Sequence, residues 1–312
     1  MGKFYLLVLA FCCGVFPVRA QSIHFDRLDI NDGLSQNTVT SIIQDDKGFM
    51  WFGTKDGLCR YDGKSFKTFM HDPRLTAGLG NSLIKRLVQD HGHRIWVGTD
   101  SGLYIYDPET EHFSSVPLYA ADGKPVTKPI SILDCDREGR VWIVVENVDV
   151  FCYDPQTREV ERRYKPRKPL RSLASDKNGV IWFAGYGGGL YCTEDLFRTV
   201  KPFLDADGRE IYPQDIISFI CLSDYNEMYL GLEERGVAKV DLVSGTVTRL
   251  RLSDNPDAPL FVRHILPYSS EELWIGTESG IVVYNVRTRR YQHLKSSPYD
   301  PYSLSDNAVY SL

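Results

Sequence analysis

Lys85, Arg86, Arg171, Arg263, His264 and Tyr186 are the side chains of this sequence best suited to binding chemistry. A rim of lysine and arginine offers charge-assisted hydrogen bonds to carboxylates or sulfates, the groups an acidic oligosaccharide presents. Tyr186, held among Gly185, Gly187, Gly188 and Gly189, offers a ring that could stack on a sugar face. The plainer alternative leaves the cations solvated or paired with nearby acids, and makes Tyr186 a turn residue. Catalysis finds less support, because glycoside hydrolysis needs two carboxylates of separated pKa facing one cleft. Asp45, Asp90, Asp136 and Asp176 instead occupy the same turn position in successive repeats, and the seven histidines form no HxxxH or His-Glu constellation. Asp205 and Asp207, followed by Gly208, lack the third carboxylate and distal glutamate of a calcium loop. No catalytic residue, metal or cofactor is therefore expected.

These side chains are positioned by a repeat. Anchored on one large aromatic, the copies fall at Trp51, Trp96, Trp142, Trp182, Tyr229 and Trp274, with separations of 45, 46, 40, 47 and 45 residues. The residues twelve and nine before each anchor are apolar in all six copies. Gly48, Gly139 and Gly179 follow three of the aspartates at turn spacing. A second glycine turn at Gly57, Gly102 and Gly280 opens a third strand, and a weaker fourth follows near Phe66 to Phe69, His112 to Phe113, Glu159 to Glu161 and Arg290 to Gln292. Four short strands per period of about 45 residues predict an all-β fold, a β-propeller of four-stranded blades. In such a fold the aromatic fills the wedge between sheets, and Gly53, Gly98, Gly231 and Gly276 allow the next sheet to approach.

Eleven residues before each anchor stand Thr40, Lys85, Ser131, Arg171, Ser218 and Arg263, with Arg86 and His264 next to two of them. At the start of the innermost strands, this polar set is expected to ring a central channel. Residues 158–171 are rich in Arg and Lys and fall on an outer strand and connector, where a solvated loop is the simplest expectation.

The ends and the charge balance narrow the classes further. Lys3, the apolar run from Phe4 to Phe16, and the small-residue spacing of Val18 and Ala20 predict a secretory signal over residues 1–20, leaving residues 21–312 as the propeller. Without Lys3 and Arg19, 34 basic residues face 41 acidic ones, which argues against non-specific nucleic-acid contact. Cys59, Cys135, Cys152, Cys192 and Cys221 remain, with no CxxC spacing, and are expected to be small buried hydrophobes.

The segment from Asn37 through Asp62, read as N-x-V-x-S-I-x-Q-D-x-x-G-x-x-W-x-G-T-x-x-G-L-x-x-Y-D, resembles the two-component regulator propeller repeat, and Ser296 to Val309 is similar to that family's connector between blades. The resemblance is strongest around Trp51, Trp96 and Trp274. It implies the amino-terminal part of the periplasmic region of a hybrid two-component sensor of polysaccharide-degrading bacteria. It further implies an oligosaccharide ligand, control of polysaccharide-utilisation genes, and a dimeric full-length protein. A second propeller, a β-sandwich, a membrane helix and a kinase core would then lie elsewhere in that protein. On this pattern six blades are complete and a seventh begins before Leu312; Ile23 to Ile30 alternates enough to form a strand that in the family would complete the last blade and clasp the ring, but without the rest of that blade it has no sheet to join, and the open position exposes edges prone to association. A propeller enzyme acting on a glycan, or a protein similar to virginiamycin B lyase, is the alternative, since fold does not settle function.

Overall fold

The computed structural model describes residues 23–75, 78–223, 226–255 and 258–312, so the expected signal segment lies outside the described residues. Six antiparallel sheets of four strands cover residues 39–69, 84–116, 130–164, 170–202, 217–249 and 262–294, here blades 1 to 6. Each blade runs in simple meander order. Its first strand is innermost: Val39–Gln44, Ile84–Gln89, Ile130–Cys135, Leu170–Ser175, Ile217–Leu222 and Val262–Pro267. These first strands touch their neighbours in order around the axis. The all-β propeller expected from the repeat is the observed fold, and blades 4 and 5 also have their fourth strands, at Lys201–Pro202 and Val247–Arg249.

Why the period holds is visible in the first turn of each blade. Asp45, Asp90, Asp136 and Asp176 each accept two backbone amides of that turn through Oδ1, for Asp90 from Gly92 at 2.9 Å and Arg94 at 3.0 Å. Through Oδ2 each also accepts the indole N–H of its own anchor, at 2.8, 2.7, 2.9 and 3.1 Å for Trp51, Trp96, Trp142 and Trp182. One carboxylate thus closes the turn and satisfies a buried donor that would otherwise cost free energy. Sequence reading recognised the turn and missed the indole. Blades 5 and 6 have no aspartate there, and the acid moves to two residues before the anchor: Glu227 accepts from the Tyr229 hydroxyl at 3.0 Å and Glu272 from Trp274 Nε1 at 2.7 Å. In blades 1 to 5 the turn also takes a left-handed residue three before the anchor, supplied by Gly48, Gly139 and Gly179, by His93 at φ 63° and by Asn226 at φ 58°.

Packing between blades repeats as well. Trp96 lies with Ile130, Val141, Ile143, Phe151 and Tyr153 of blade 3, and Trp51 with Ile84, Leu87 and Tyr106 of blade 2. A side-chain carbon added at Gly98 would stand 2.7 Å from Ile130 Cγ2, and one at Gly53 would stand 2.6 Å from Ile84 Cγ2. The notch left by glycine is therefore filled by the apolar residue that opens the next blade, which explains why both positions recur. All five cysteines fall in strands and are free; burial pushes the thiols of Cys135, Cys152 and Cys221 up to about 12.

Beyond blade 6 the terminal residues continue the pattern. Val309 Cγ1 fills the notch at Gly276, as Ile84 does at Gly53, and the Val309 amide donates to Thr277 O at 2.9 Å. Ser311 Oγ accepts from Ile42 N at 3.2 Å, the same cross-blade bond that Ser41 makes with Leu87 N and Ser172 with Ile220 N. The segment Ile23 to Ile30 forms no strand. Phe25 N donates to Tyr302 O at 2.9 Å, Arg27 bonds the carbonyls of Ser303 and Leu304, and Ile23 and Phe25 pack on the outward face of blade 6 near Trp274. The connector offers scattered acceptors where a strand would need a continuous edge.

Candidate functional site

The first strands of six blades enclose a cavity of about 1030 Å³ on the propeller axis, whose wall includes all six candidate residues, Lys85, Arg86, Arg171, Tyr186, Arg263 and His264. The residues eleven before the anchors alternate in size, a regularity present in the sequence but meaningful only in a ring. Thr40, Ser131 and Ser218 of blades 1, 3 and 5 turn their hydroxyls back to the backbone. Thr40 Oγ1 donates to Gly53 O at 2.9 Å or Ile84 O at 2.8 Å, and Ser218 Oγ to Gly231 O or Val262 O. Lys85, Arg171 and Arg263 of blades 2, 4 and 6 are the long side chains between them. A narrow channel accommodates large groups only where their neighbours are small.

The cations are not equivalent. Lys85 Nζ lies 3.1 Å from Asp100 Oδ1, and Arg263 is paired with Glu278. Both acids stand four residues after their anchors, in the loop between the second and third strands. Arg171 meets Tyr186 at the corresponding place, with Nη1 donating to the hydroxyl at 3.3 Å and the guanidinium 5.4 Å from the ring centroid. Arg86 donates to Lys85 O at 2.8 Å and has no acid partner among the described residues. Its side chain lines the cavity wall. Withdrawal from solvent, and then the charge of Arg171, lower its pKa. His264 packs on Phe219 with ring centroids 4.6 Å apart and leaves a buried Nδ1 without a partner. Desolvation, reinforced by Arg86, brings its pKa down to about 4, so the imidazole is neutral at pH 7.

The basic run 158–171 also reaches the site. Lys165, Arg167 and Lys168 are exposed, as expected of a solvated loop, and also form part of the cavity wall. The connector is placed there because residues 165–169 lead directly from the outer strand Glu159–Tyr164 to the inner strand Leu170–Ser175 of the next blade. Asp205 and Gly208 close a turn, Gly208 N donating to Asp205 O at 2.9 Å, and among the described residues no cluster of metal-binding side chains occurs.

Asp134 and Glu146 are the carboxylates of the wall. Asp134 Oδ2 accepts from Ser175 N at 3.1 Å and Ser175 Oγ at 3.0 Å, tying blade 3 to blade 4. Burial outweighs these bonds and raises its pKa to about 6. Because the folded state holds this proton more tightly than the unfolded chain, stability conferred at low pH is lost as pH rises from the ordinary 3.8 through about 6. Asp134→Asn keeps an acceptor for Ser175 and removes the ionisation. It is expected to be more stable than the native chain at pH 7 by at most about 3 kcal/mol, with the difference fading below pH ~4. Urea titrations across this range would show it; a difference independent of pH would refute the assignment.

The molecule is thus a β-propeller of four-stranded blades around a polar, cation-rich channel. Comparison with known proteins bears out the resemblance drawn from Asn37 to Asp62: the model of the family described as Two component regulator propeller matches residues 33–56. A stretch of 73 residues, 23% of this chain, is 34% identical to histidine kinase P4 of Formosa agariphila and covers 5% of that protein. Among solved structures, the extracellular domain assigned to the hybrid two component system BT3049 of B. thetaiotaomicron superposes with TM-score 0.77 over 93% of this chain, at 22% identity. That assigned to BT4673 of the same organism gives 0.74 over 93%, at 18% identity. This chain covers 39% and 37% of those two structures. Virginiamycin B lyase of Staphylococcus aureus gives 0.63 over 82% of this chain and 83% of its own, at 11% identity, a likeness of fold.

Proposed function

We propose that this propeller is an extracytoplasmic ligand-sensing module of a two-component signalling protein. Its ligand in this reading is an oligosaccharide released from a polysaccharide, bound at the cation-rich mouth of the channel. Binding would bias an equilibrium read by a membrane helix and a dimeric kinase core elsewhere in the same protein, controlling polysaccharide-utilisation genes. The reading rests on one observation above all, a cavity of about 1030 Å³ whose wall gathers Lys85, Arg86, Arg171, Tyr186, Arg263 and His264 from three alternate blades. The local match to the two-component regulator propeller, and the likeness to domains described as extracellular, support the sensory and extracytoplasmic parts.

Calorimetric titration of the protein with a panel of neutral and acidic oligosaccharides tests the reading. Saturable one-to-one binding of one glycan class without turnover is expected, weakened about tenfold or more by Arg171→Ala combined with Arg263→Ala. Accumulation of cleaved product would transfer the protein to the enzymes, and absence of binding across the panel would remove the sugar ligand.

A further inference from the structure

We propose that the channel contains a discrete oxyanion subsite between Arg86 and Arg171, which takes one sulfate or carboxylate group of a ligand; the proposal rests on reading the cavity as a ligand site. Three facts about these blades converge on it. In blades 2 and 6 the cation eleven before the anchor is neutralised by the acid four after it, Lys85 by Asp100 and Arg263 by Glu278. In blade 4 the residue in the acid's place is Tyr186, so Arg171 is left with a hydroxyl and an aromatic face, and no ion-pair partner among the described residues. Arg86 is another guanidinium of the wall without an acid; it and Arg171 line the same cavity from blades 2 and 4, and the charge of Arg171 disfavours protonation of Arg86.

Two like charges turned into a protein-walled cavity are a standing cost, which nearby carboxylates repay elsewhere in this ring. Here the repayment is missing, and an oxyanion would supply it. Arginine suits the task because its planar fork offers two parallel N–H donors that match a carboxylate or sulfate edge. Lys165, Arg167 and Lys168 border the same cavity and none has an ion-pair partner among the described residues, so the potential at this mouth is positive. Glu146 is the acid on the mouth side of the wall, four after Trp142, and its own blade carries the uncharged Ser131 at the position of the cations. Asp134 is hydrogen-bonded to Ser175 and makes no ion pair with either arginine.

The test uses the whole chain, titrated separately with sodium sulfate and with a monomeric uronate at ionic strength held constant with chloride, followed by NMR of arginine Nε–H signals and by thermal shift. At least one anion is expected to saturate at a single site. Arg86→Gln or Arg171→Gln should weaken it tenfold or more, and Arg171→Lys, which keeps the charge but loses the fork, by an intermediate factor. Arg74→Gln serves as the control for net charge, since Arg74 is a highly exposed residue paired with Asp72 outside the channel, and should change affinity less than twofold. Tighter binding of sulfate would identify a sulfated ligand, and of uronate a carboxylated one. Saturation by neither anion, or an equal loss with Arg74→Gln, overturns the subsite. Acidic oligosaccharides that bind undiminished to the Arg86 and Arg171 variants would also overturn it while leaving the sensory reading in place; anion binding without any glycan binding would do the reverse.

Discussion

Replacement of Asp90 by alanine is expected to lower the unfolding free energy by about 3–5 kcal/mol. Asp90 is 5% exposed and carries four accepted bonds: the amides of Gly92 and Arg94, Arg94 Nε at 2.8 Å and Trp96 Nε1 at 2.7 Å. Alanine would leave the buried indole donor unpaired, at a cost of about 1–3 kcal/mol, and would strip the exposed turn of the carboxylate that closes it. Arg94 is partly solvated and can turn outward, which moderates the loss of its pairing. Asp90→Asn retains an acceptor for the indole but sets an NH₂ group near the guanidinium, so roughly half the loss is expected from the charge-assisted bonds alone. Urea denaturation followed by tryptophan fluorescence measures both. A loss below about 1 kcal/mol for the alanine variant would show that the turn holds itself together without the carboxylate.

The second large effect is expected from Trp96→Ala, at about 3–5 kcal/mol. The indole is fully buried, its ring centroid 4.8 Å from that of Tyr153, and its neighbours Ile130, Val141, Ile143 and Phe151 all belong to the next blade. The cavity would therefore open at the joint between blades 2 and 3, where two twisted sheets cannot collapse onto it without tilting. Asp90 and Trp96 share a hydrogen bond, so the double variant should lose less than the sum of the single ones, by about 0.5–3 kcal/mol. Trp274→Ala should cost less than half as much as Trp96→Ala. Trp274 is only half-buried and packs in one small cluster with Ile23, Phe25, Leu304, Val309 and Leu312. Equal losses at the two tryptophans would mean that these segments seal blade 6 as well as a neighbouring blade would.

Much of this was legible in the chain, because a propeller repeats its chemistry locally. An anchor, a turn aspartate and a notch glycine recur every 45 residues or so since each joint between blades poses the same packing problem. The clustering of Lys85, Arg86, Arg171, Arg263 and His264 followed from that register once the first strands were placed on the axis. Ile23 to Ile30 forms no strand for a related reason: its alternation of residues is a local property, whereas a strand forms only where an edge is free to receive it, and Tyr302 to Leu304 presents scattered acceptors.

What the sequence determined alone, then, was the period, the blade and the apolar joints, all set by interactions within one repeat or between one repeat and the next. The tertiary structure decided which cations are already neutralised, that Lys165, Arg167 and Lys168 border the channel, and that Ser311 meets Ile42 across 269 residues. Those relations depend on the rotation from blade to blade and the width of the channel it leaves. Lys85 and Arg263 meet acids of their own blades, but which side chains of different blades face one channel is set by distances across the axis, and no local pattern carries those distances.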